Sequence, residues 1–176
     1  MDSARPVNPL ADLLGVDPES LTSLIATLRD RGETVATAES LTAGLVAAAL
    51  TSVPGASAVV RGGLVVYATQ LKTDLAGVAA DALAEHGAVH PLIAEQLAAG
   101  ARTTCRSSWG IGLTGVAGPD PQDGVAPGVV HLAVAWGGGT SVRTIEVSGN
   151  RHQVRAAAAR AAFDLLSAQL AEPVTA

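Results

Sequence analysis

Apolar and polar positions follow two periods along the chain, one typical of helices and one of buried strands. Between Asp17 and Gly32, apolar residues recur at i, i+3, i+4 and i+7, the spacing of one buried helix face. Asp17 is an N-cap residue followed by Pro18 at the first helical position, and Gly32 is a C-terminal stop. The pattern as a whole predicts helices at 17–32, 45–50, 78–86, 91–104 and from Asn150 onward, and strands at 34–38, 63–68, 109–114, 129–136 and 142–147.

These elements predict the fold class. Strands alternate with helices, and three glycines at 137–139 join the last two strands into a predicted hairpin. We therefore expect a three-layer α/β/α sandwich around a mixed, mostly parallel sheet of about five strands. Residues 17–172 are expected to form this single domain. Residues 1–16 are expected to be a flexible lead, because Pro6 and Pro9 would break any helix there.

Composition narrows the functional classes. Hydrophobic residues make up 48% of the chain but aromatic ones only 2%, so the core is packed from small and branched side chains. A net charge of −5 without a Lys/Arg run argues against nucleic-acid binding, and no apolar run is long enough to span a membrane. A single cysteine excludes an internal disulfide and fits a reducing cytoplasm. The four histidines lack metal-ligand spacing, so no metal site is expected.

Lys72 is the only lysine of the chain, since the other strongly basic side chains are all arginines. Arginine keeps its proton near neutral pH, whereas a desolvated lysine can lose it. Position 72 therefore either requires a removable proton or is the one lysine left by compositional drift. It follows the predicted strand 63–68 on a short connector. Tyr67, the only tyrosine, lies near the end of that predicted strand. Its side chain either packs or takes part in chemistry.

Ser40 lies where the predicted strand 34–38 leads into a helix. It is either an N-cap or a nucleophile near free backbone N–H groups that can stabilise an oxyanion. A serine nucleophile needs a base, and Lys72 is the natural candidate because the motif offers no suitable histidine. Thr42 has the same two interpretations, cap or ligand contact. Glu39 is either a solvated acid or an orienting partner for Lys72.

Two further segments are candidates for anion binding. Residues 114–119 read Thr-Gly-Val-Ala-Gly-Pro, which is either a plain turn or a backbone nest for an anion. Arg151 and Arg155 lie one turn apart at the start of the last helix, where the helix dipole disfavours cations. They form either an ordinary charged face or a phosphate site. Ligands gather beyond the carboxyl ends of strands in such sheets, where all four segments are expected to meet.

Taken together, these motifs resemble one known family. They are Thr-Ala-Glu-Ser-Leu-Thr-Ala-Gly at 37–44, Val-Pro-Gly-Ala-Ser at 53–57, Gly-Gly-Leu-Val-Val-Tyr at 62–67 with Lys72 beyond it, Thr-Gly-Val-Ala-Gly-Pro at 114–119, Gly128, and Gly-Asn-Arg-His-Gln-Val-Arg at 149–155. In this order they resemble the C-terminal domain of the CinA family of competence/damage-inducible proteins, whose active members are nicotinamide-nucleotide amidohydrolases. The similarity runs from about residue 20 to about residue 170, as expected for a stand-alone form of that domain.

The resemblance implies a reaction in pyridine nucleotide salvage. Nicotinamide mononucleotide would be hydrolysed to nicotinic acid mononucleotide and ammonia, without a metal or an organic cofactor. By similarity, Ser40 is the nucleophile, Lys72 its base and Tyr67 the neighbouring motif tyrosine. Contacts to this small-molecule substrate are expected from Glu39, Thr42, Gly44, Thr114, Gly115, Gly118, Arg151 and Arg155. We also expect a homo-oligomer.

The chain departs from the family pattern at several positions. Leu41 and Ala43 replace the cysteine and the first glycine of the usual Glu-Ser-Cys-Thr-Gly-Gly, and residues 121–123 replace a common glycine pair. The serine, lysine and tyrosine are retained. The alternative function is therefore a non-catalytic nucleotide-binding or regulatory module on the same fold. Ammonia release from nicotinamide mononucleotide would distinguish the two.

Overall fold

The computed structural model describes residues 8–172 as alternating helices and strands. The helices are α1 (Pro9–Leu14), α2 (Pro18–Asp30), α3 (Leu45–Thr51), α4 (Thr69–Ala76), α5 (Ala80–His86), α6 (Pro91–Cys105) and α7 (Arg151–Ala171). The strands are β1 (Val35–Glu39), β2 (Val60–Val65), β3 (Trp109–Gly115), β4 (Val129–Trp136) and β5 (Gly139–Glu146), and a 3₁₀ turn spans Ala56–Ala58.

The five strands form one mixed sheet in the order β2-β1-β3-β4-β5. β1 pairs in parallel with both β2 and β3, whereas the β3–β4 and β4–β5 pairs are antiparallel. All strands except β4 therefore run in one direction. Helices α1, α2, α3 and α7 cover one face, and α4, α5 and α6 cover the other. The predicted three-layer architecture and the late hairpin are confirmed.

The register of β1 fixes where the functional segments meet. Glu39, its last residue, pairs with Val65 of β2 and with Leu113 of β3. Because three parallel strands end at the same level, the segments that follow them leave the sheet along one edge. These segments begin at Ser40, Val66 and Val116.

Helix α6 lies unusually close to β3 because two strand residues have no side chain. A Cβ atom placed on Gly110 would lie 2.0 Å from the carbonyl oxygen of Ala98, and one on Gly112 would lie 2.3 Å from that of Ala94. These distances are far below any van der Waals contact, so only glycine fits. Ala94 and Ala98 are themselves fully buried. The helix and the strand therefore meet backbone to backbone.

The predicted flexible lead is wrong for residues 9–14, which form α1. Pro9 occupies the first turn, where a missing N–H costs nothing, and the side chain of Asn8 accepts a hydrogen bond from the Ala11 amide. Ala11 and Leu14 are fully buried. The proline therefore starts a helix rather than breaking one. Residues 1–7, including Pro6, lie outside the described residues.

The second strand was also predicted too late in the chain. It spans Val60–Val65 rather than 63–68, because its ladder with β1 ends when β1 ends. Lys72 consequently lies on helix α4 and not on a connector. Strand β5 begins three residues before the predicted start at 142, directly after the turn. Asn150 caps α7 as predicted, with Gln153 completing a capping box.

Candidate active site

A cleft of about 550 Å³ opens at the edge where β1, β2 and β3 end. Its walls are Ser40 and Leu41, residues 67–69, residues 115–122, and Arg151 at the start of α7. We call it the Ser40 cleft. It brings together side chains or backbone from all four segments that the sequence analysis singled out.

Lys72 is buried beneath this cleft with its amine beside Ser40. The residue is only 1% exposed, and its Nζ lies 3.2 Å from Ser40 Oγ and 3.0 Å from the carbonyl oxygen of Val66. Burial lowers the pKa of the Lys72 amine below its ordinary value, and the Asp123 carboxylate offsets part of that decrease. Both neighbours of the amine can accept a hydrogen bond, and neither neutralises a positive charge.

The turn after Ser40 leaves two backbone donors without acceptors. Among the described residues, the amides of Leu41 and Thr42 make no hydrogen bond, whereas those of Ser40 and Ala43 do. An amide directly after a nucleophile is a common donor to a developing oxyanion. The turn itself is tight, because Ala43 and Gly44 both have positive φ, +50° and +93°. Ala43 is thus an alanine in a conformation that favours glycine.

Glu39 matches neither interpretation made from the sequence. It is completely buried, and its carboxylate accepts hydrogen bonds from the amides of Gly44, Val46 and Ala47 and from the hydroxyl of Thr37. It is therefore not solvated, and it makes no hydrogen bond to Lys72. The predicted substrate contact is corrected: Glu39 holds the first turn of α3 against β1. The Gly44 amide is one of its donors, so Gly44 also serves the turn.

The two arginines of α7 have different roles. Arg151 lines the Ser40 cleft and donates to Tyr67 Oη at 2.7 Å and to the Gly118 carbonyl at 2.8 Å. Arg155 instead donates to the carbonyl oxygens of Leu41 and Thr42, both at 2.9 Å. The predicted substrate contact of Arg155 is corrected accordingly, because its guanidinium braces the turn behind Ser40 and does not line the cleft.

Tyr67 does not pack into the core, since it is 57% exposed at the mouth of the cleft. Thr42 is fully buried, does not line the cleft, and has a hydroxyl without a hydrogen-bond partner among the described residues. The predicted ligand contact through its side chain is therefore not supported. Thr114 is also buried, and its hydroxyl donates to the Ala88 carbonyl at 2.6 Å. It anchors β3 to the α5–α6 connection.

The backbone after β3 supports the anion-nest interpretation. Gly115 and Gly118 line the cleft, and the amides of Ala117 and Gly118 have no acceptor among the described residues. The adjacent Val116 amide is already bonded to Val129. The two amides without acceptors, together with the Arg151 guanidinium, are donors that a bound anion can use.

The sequence analysis missed two acids in the following loop. Asp120 lines the cleft, and Asp123 lies close enough to Lys72 to influence its pKa. Asp123 and Gly124 both have positive φ and form the tip of a tight turn closed by a Gln122–Val125 bridge. The Asp-Gly pair is a strong signal for such a turn. This pair predicts that the chain reverses here, but it does not predict that the Asp123 carboxylate lies near Lys72.

Within residues 8–172 no group of three or more His, Cys, Asp or Glu side chains is arranged to hold a metal ion. Over the same residues, no helix has both the length and the apolar character needed to cross a bilayer. His90 caps α6, because its Nδ1 accepts a hydrogen bond from the Leu92 amide.

Fold and site define an α/β protein with a serine and a buried lysine at the carboxyl edge of a mixed sheet. The family profile of the CinA C-terminal domain matches residues 18–170, and the chain belongs to this family. For comparison, the sequence pattern alone predicted a domain spanning residues 17–172.

Known relatives agree with this assignment. The chain is 49% identical over 144 residues to a CinA-like protein of Anaeromyxobacter sp. (strain K), covering 81% of this chain and 35% of that protein. It is 43% identical over 169 residues to a CinA-like protein of Myxococcus xanthus (strain DK1622), covering 93% and 40%. The chain thus spans well under half the length of these curated relatives.

A solved structure has the same fold. The competence/damage inducible protein CihA from Agrobacterium tumefaciens superposes with a TM-score of 0.84 at 35% identity, covering 88% of this chain and 95% of that one. The CinA fold is therefore common to both chains.

Proposed function

We propose that this protein is an amidohydrolase that converts nicotinamide mononucleotide to nicotinic acid mononucleotide and ammonia. The observation that carries the proposal is the buried Lys72 amine 3.2 Å from Ser40 Oγ. Burial favours the neutral amine, and a neutral amine is the form that can accept the serine proton.

The chemistry follows from these two side chains. Lys72 Nζ takes the Ser40 proton while Oγ bonds to the carboxamide carbon, and the amides of Leu41 and Thr42, which have no other acceptor among the described residues, would stabilise the oxyanion. The Lys72 ammonium then protonates the leaving nitrogen, the C–N bond breaks, and ammonia departs from an acyl-serine. Water, deprotonated by Lys72, attacks the ester carbon; the carboxylate product leaves and Ser40 regains its proton.

The remainder of the cleft suits the rest of the substrate. Its volume of about 550 Å³ falls in the usual range for small-molecule sites. The phosphate would bind at the free amides of Ala117 and Gly118 together with Arg151. Asp120, which lines the same cleft, would supply an acid near the positively charged pyridinium ring.

The test is to incubate the pure protein with nicotinamide mononucleotide and to measure both ammonia and nicotinic acid mononucleotide. We expect equal amounts of the two products, none with Ser40→Ala, and a higher KM for nicotinamide riboside, which lacks the phosphate. Binding of the nucleotide by calorimetry without product formation would instead favour the alternative, a nucleotide-binding or regulatory module. The homo-oligomer and the cytoplasmic location stay predictions.

A further inference from the structure

A second cleft, of about 690 Å³, lies at the opposite end of the sheet. It is bounded by Glu33 before β1, by Trp109 at the start of β3, and by Trp136 at the end of β4. None of its lining residues belongs to the Ser40 cleft. Both tryptophans of the sequence line it, and we call it the tryptophan cleft.

The two indoles are arranged so that one supports the other. Their ring centroids lie 5.5 Å apart with 28° between the planes. Trp109 is only 6% exposed, and its Nε1 donates to a Glu33 carboxylate oxygen at 2.8 Å. Trp136 is half-buried. A buried, hydrogen-bonded indole thus backs a second indole that the cleft leaves partly uncovered.

Two guanidinium groups line the same cleft, which also contains the carboxylates of Glu33 and Glu172. Arg102 donates through Nε to the Ser108 carbonyl at 3.1 Å, and Arg31 donates through Nη2 to the Leu170 carbonyl. Neither forms an ion pair with an acid within the described residues. Their other N–H groups have no acceptor in that part of the chain. Both cations are held in place by backbone carbonyls while most of their donors are free.

We propose that the tryptophan cleft binds a phosphorylated nucleoside, with the base against Trp136 and the phosphate at Arg31 and Arg102. Stacking on an indole favours a planar aromatic ring. Guanidinium groups bind phosphate through paired N–H donors, and two of them match the two charges of a phosphate monoester better than the single charge of a carboxylate. The cleft is large enough for such a ligand. The site is separate from the proposed amidohydrolase reaction and does not depend on it.

The chain supplies its own reporter for this site. Because both tryptophans line the cleft, tryptophan fluorescence follows its occupancy. We would titrate the protein with adenosine 5′-monophosphate, exciting at the red edge of tryptophan absorption, where adenine does not absorb. We expect a saturable change, with weaker binding of adenosine and of inorganic phosphate.

Variants locate the binding. Arg102→Gln should weaken adenosine 5′-monophosphate binding by about tenfold or more, because one charged donor pair is lost. Arg29→Gln is the matched control, since Arg29 is exposed on α2 and pairs with Asp30 outside the cleft. It should leave the affinity unchanged. Trp136→Leu should also weaken binding, Trp136→Phe should restore most of it, and Trp109 reports in both. Circular dichroism checks that each variant folds.

The proposal fails if the nucleotide gives no saturable change, or if Arg102→Gln and Trp136→Leu bind it as the unaltered protein does. If inorganic phosphate binds as tightly as the nucleotide, the aromatic part of the proposal is wrong. If Arg151→Ala rather than Arg102→Gln abolishes the change, the nucleotide occupies the Ser40 cleft and the second site is rejected.

Discussion

Two ionisable side chains are buried next to Ser40, Glu39 in sequence and Lys72 in space, and their surroundings are opposite. Glu39, at the end of β1, accepts four hydrogen bonds from the turn into α3 and from Thr37. Lys72, on α4, has only a hydroxyl and a carbonyl oxygen within hydrogen-bond distance. The Glu39 carboxylate is fully compensated by hydrogen-bond donors, whereas the Lys72 amine has no counter-ion within hydrogen-bond distance.

This difference distinguishes a structural charge from a chemical one. A carboxylate with every lone-pair direction in use stabilises the fold but has nothing left for a substrate. An amine without a counter-ion is disfavoured as a cation, and the lowered pKa of Lys72 reflects this. The number of hydrogen-bond partners therefore predicts that Lys72, and not Glu39, can exchange a proton with the substrate. The following variants test this prediction.

The largest effect is expected where the uncompensated amine is changed. Lys72→Arg keeps a positive charge that cannot be released, so turnover should fall by about three orders of magnitude or more, as should that of Ser40→Ala. Ammonia release from nicotinamide mononucleotide measures the loss. Unfolding in denaturant should show both variants folded. A Lys72→Arg variant with a near-normal rate would remove lysine from the role of base.

The next effect concerns the compensated acid. Glu39→Ala leaves three backbone amides at the start of α3 without an acceptor, which should lower the free energy of unfolding by about 3 kcal/mol or more. Urea denaturation measures it. Glu146→Ala, an exposed acid on β5, is the control and should change stability by less than about 0.5 kcal/mol. Equal losses in the two variants would contradict the structural role of Glu39.

A smaller effect is expected from the acid that acts on Lys72 at a distance. The Asp123 carboxylate raises the pKa of Lys72, so Asp123→Asn should lower that pKa further. Activity requires the neutral amine, and its rise with increasing pH should therefore move to lower pH. A pH profile of kcat measures the shift. Asp120→Asn is the comparison and should change KM more than the profile; a shift to higher pH in Asp123→Asn would contradict the sign.

The smallest effect concerns the turn that Glu39 holds. Ala43 has φ of +50°, so Ala43→Gly should raise the free energy of unfolding by about 1 kcal/mol. Ala48 is exposed within α3, where Ala48→Gly should instead lower it by about 1 kcal/mol. Thermal unfolding compares the two. Destabilisation by both would show that Ala43 is not strained.

The sequence was sufficient to predict that Ser40, Lys72 and Tyr67 lie together. In such sheets ligands bind beyond the carboxyl ends of the strands, and these residues lie at or after two such ends. It was not sufficient for Glu39 and Arg155. Their hydrogen bonds run to amides and carbonyls of a turn whose path is set only when the sheet is assembled, and Arg155 lies 114 positions from Leu41. A charged residue near a motif in the sequence predicts that its side chain lies near the site. It does not predict which backbone atoms that side chain hydrogen-bonds.

Element types were predicted better than their limits. Several β-forming residues could begin strand β2, and its end is set by its pairing with β1. The local sequence pattern contains no information about that pairing. Pro9 was misassigned for a similar reason. The same residue breaks a helix interior and opens a helix start, and only the burial of Ala11 and Leu14 against the rest of the core decides between them.

The glycine contact between α6 and β3 has a consequence for anyone who diversifies this protein. Where main chain lies against main chain, no rotamer can move aside to admit a larger group. A saturation library at positions 110 and 112 should therefore return almost only the parental residue, even under weak selection. Variation intended to reshape the Ser40 cleft is better directed to its outer rim, where added bulk extends into solvent.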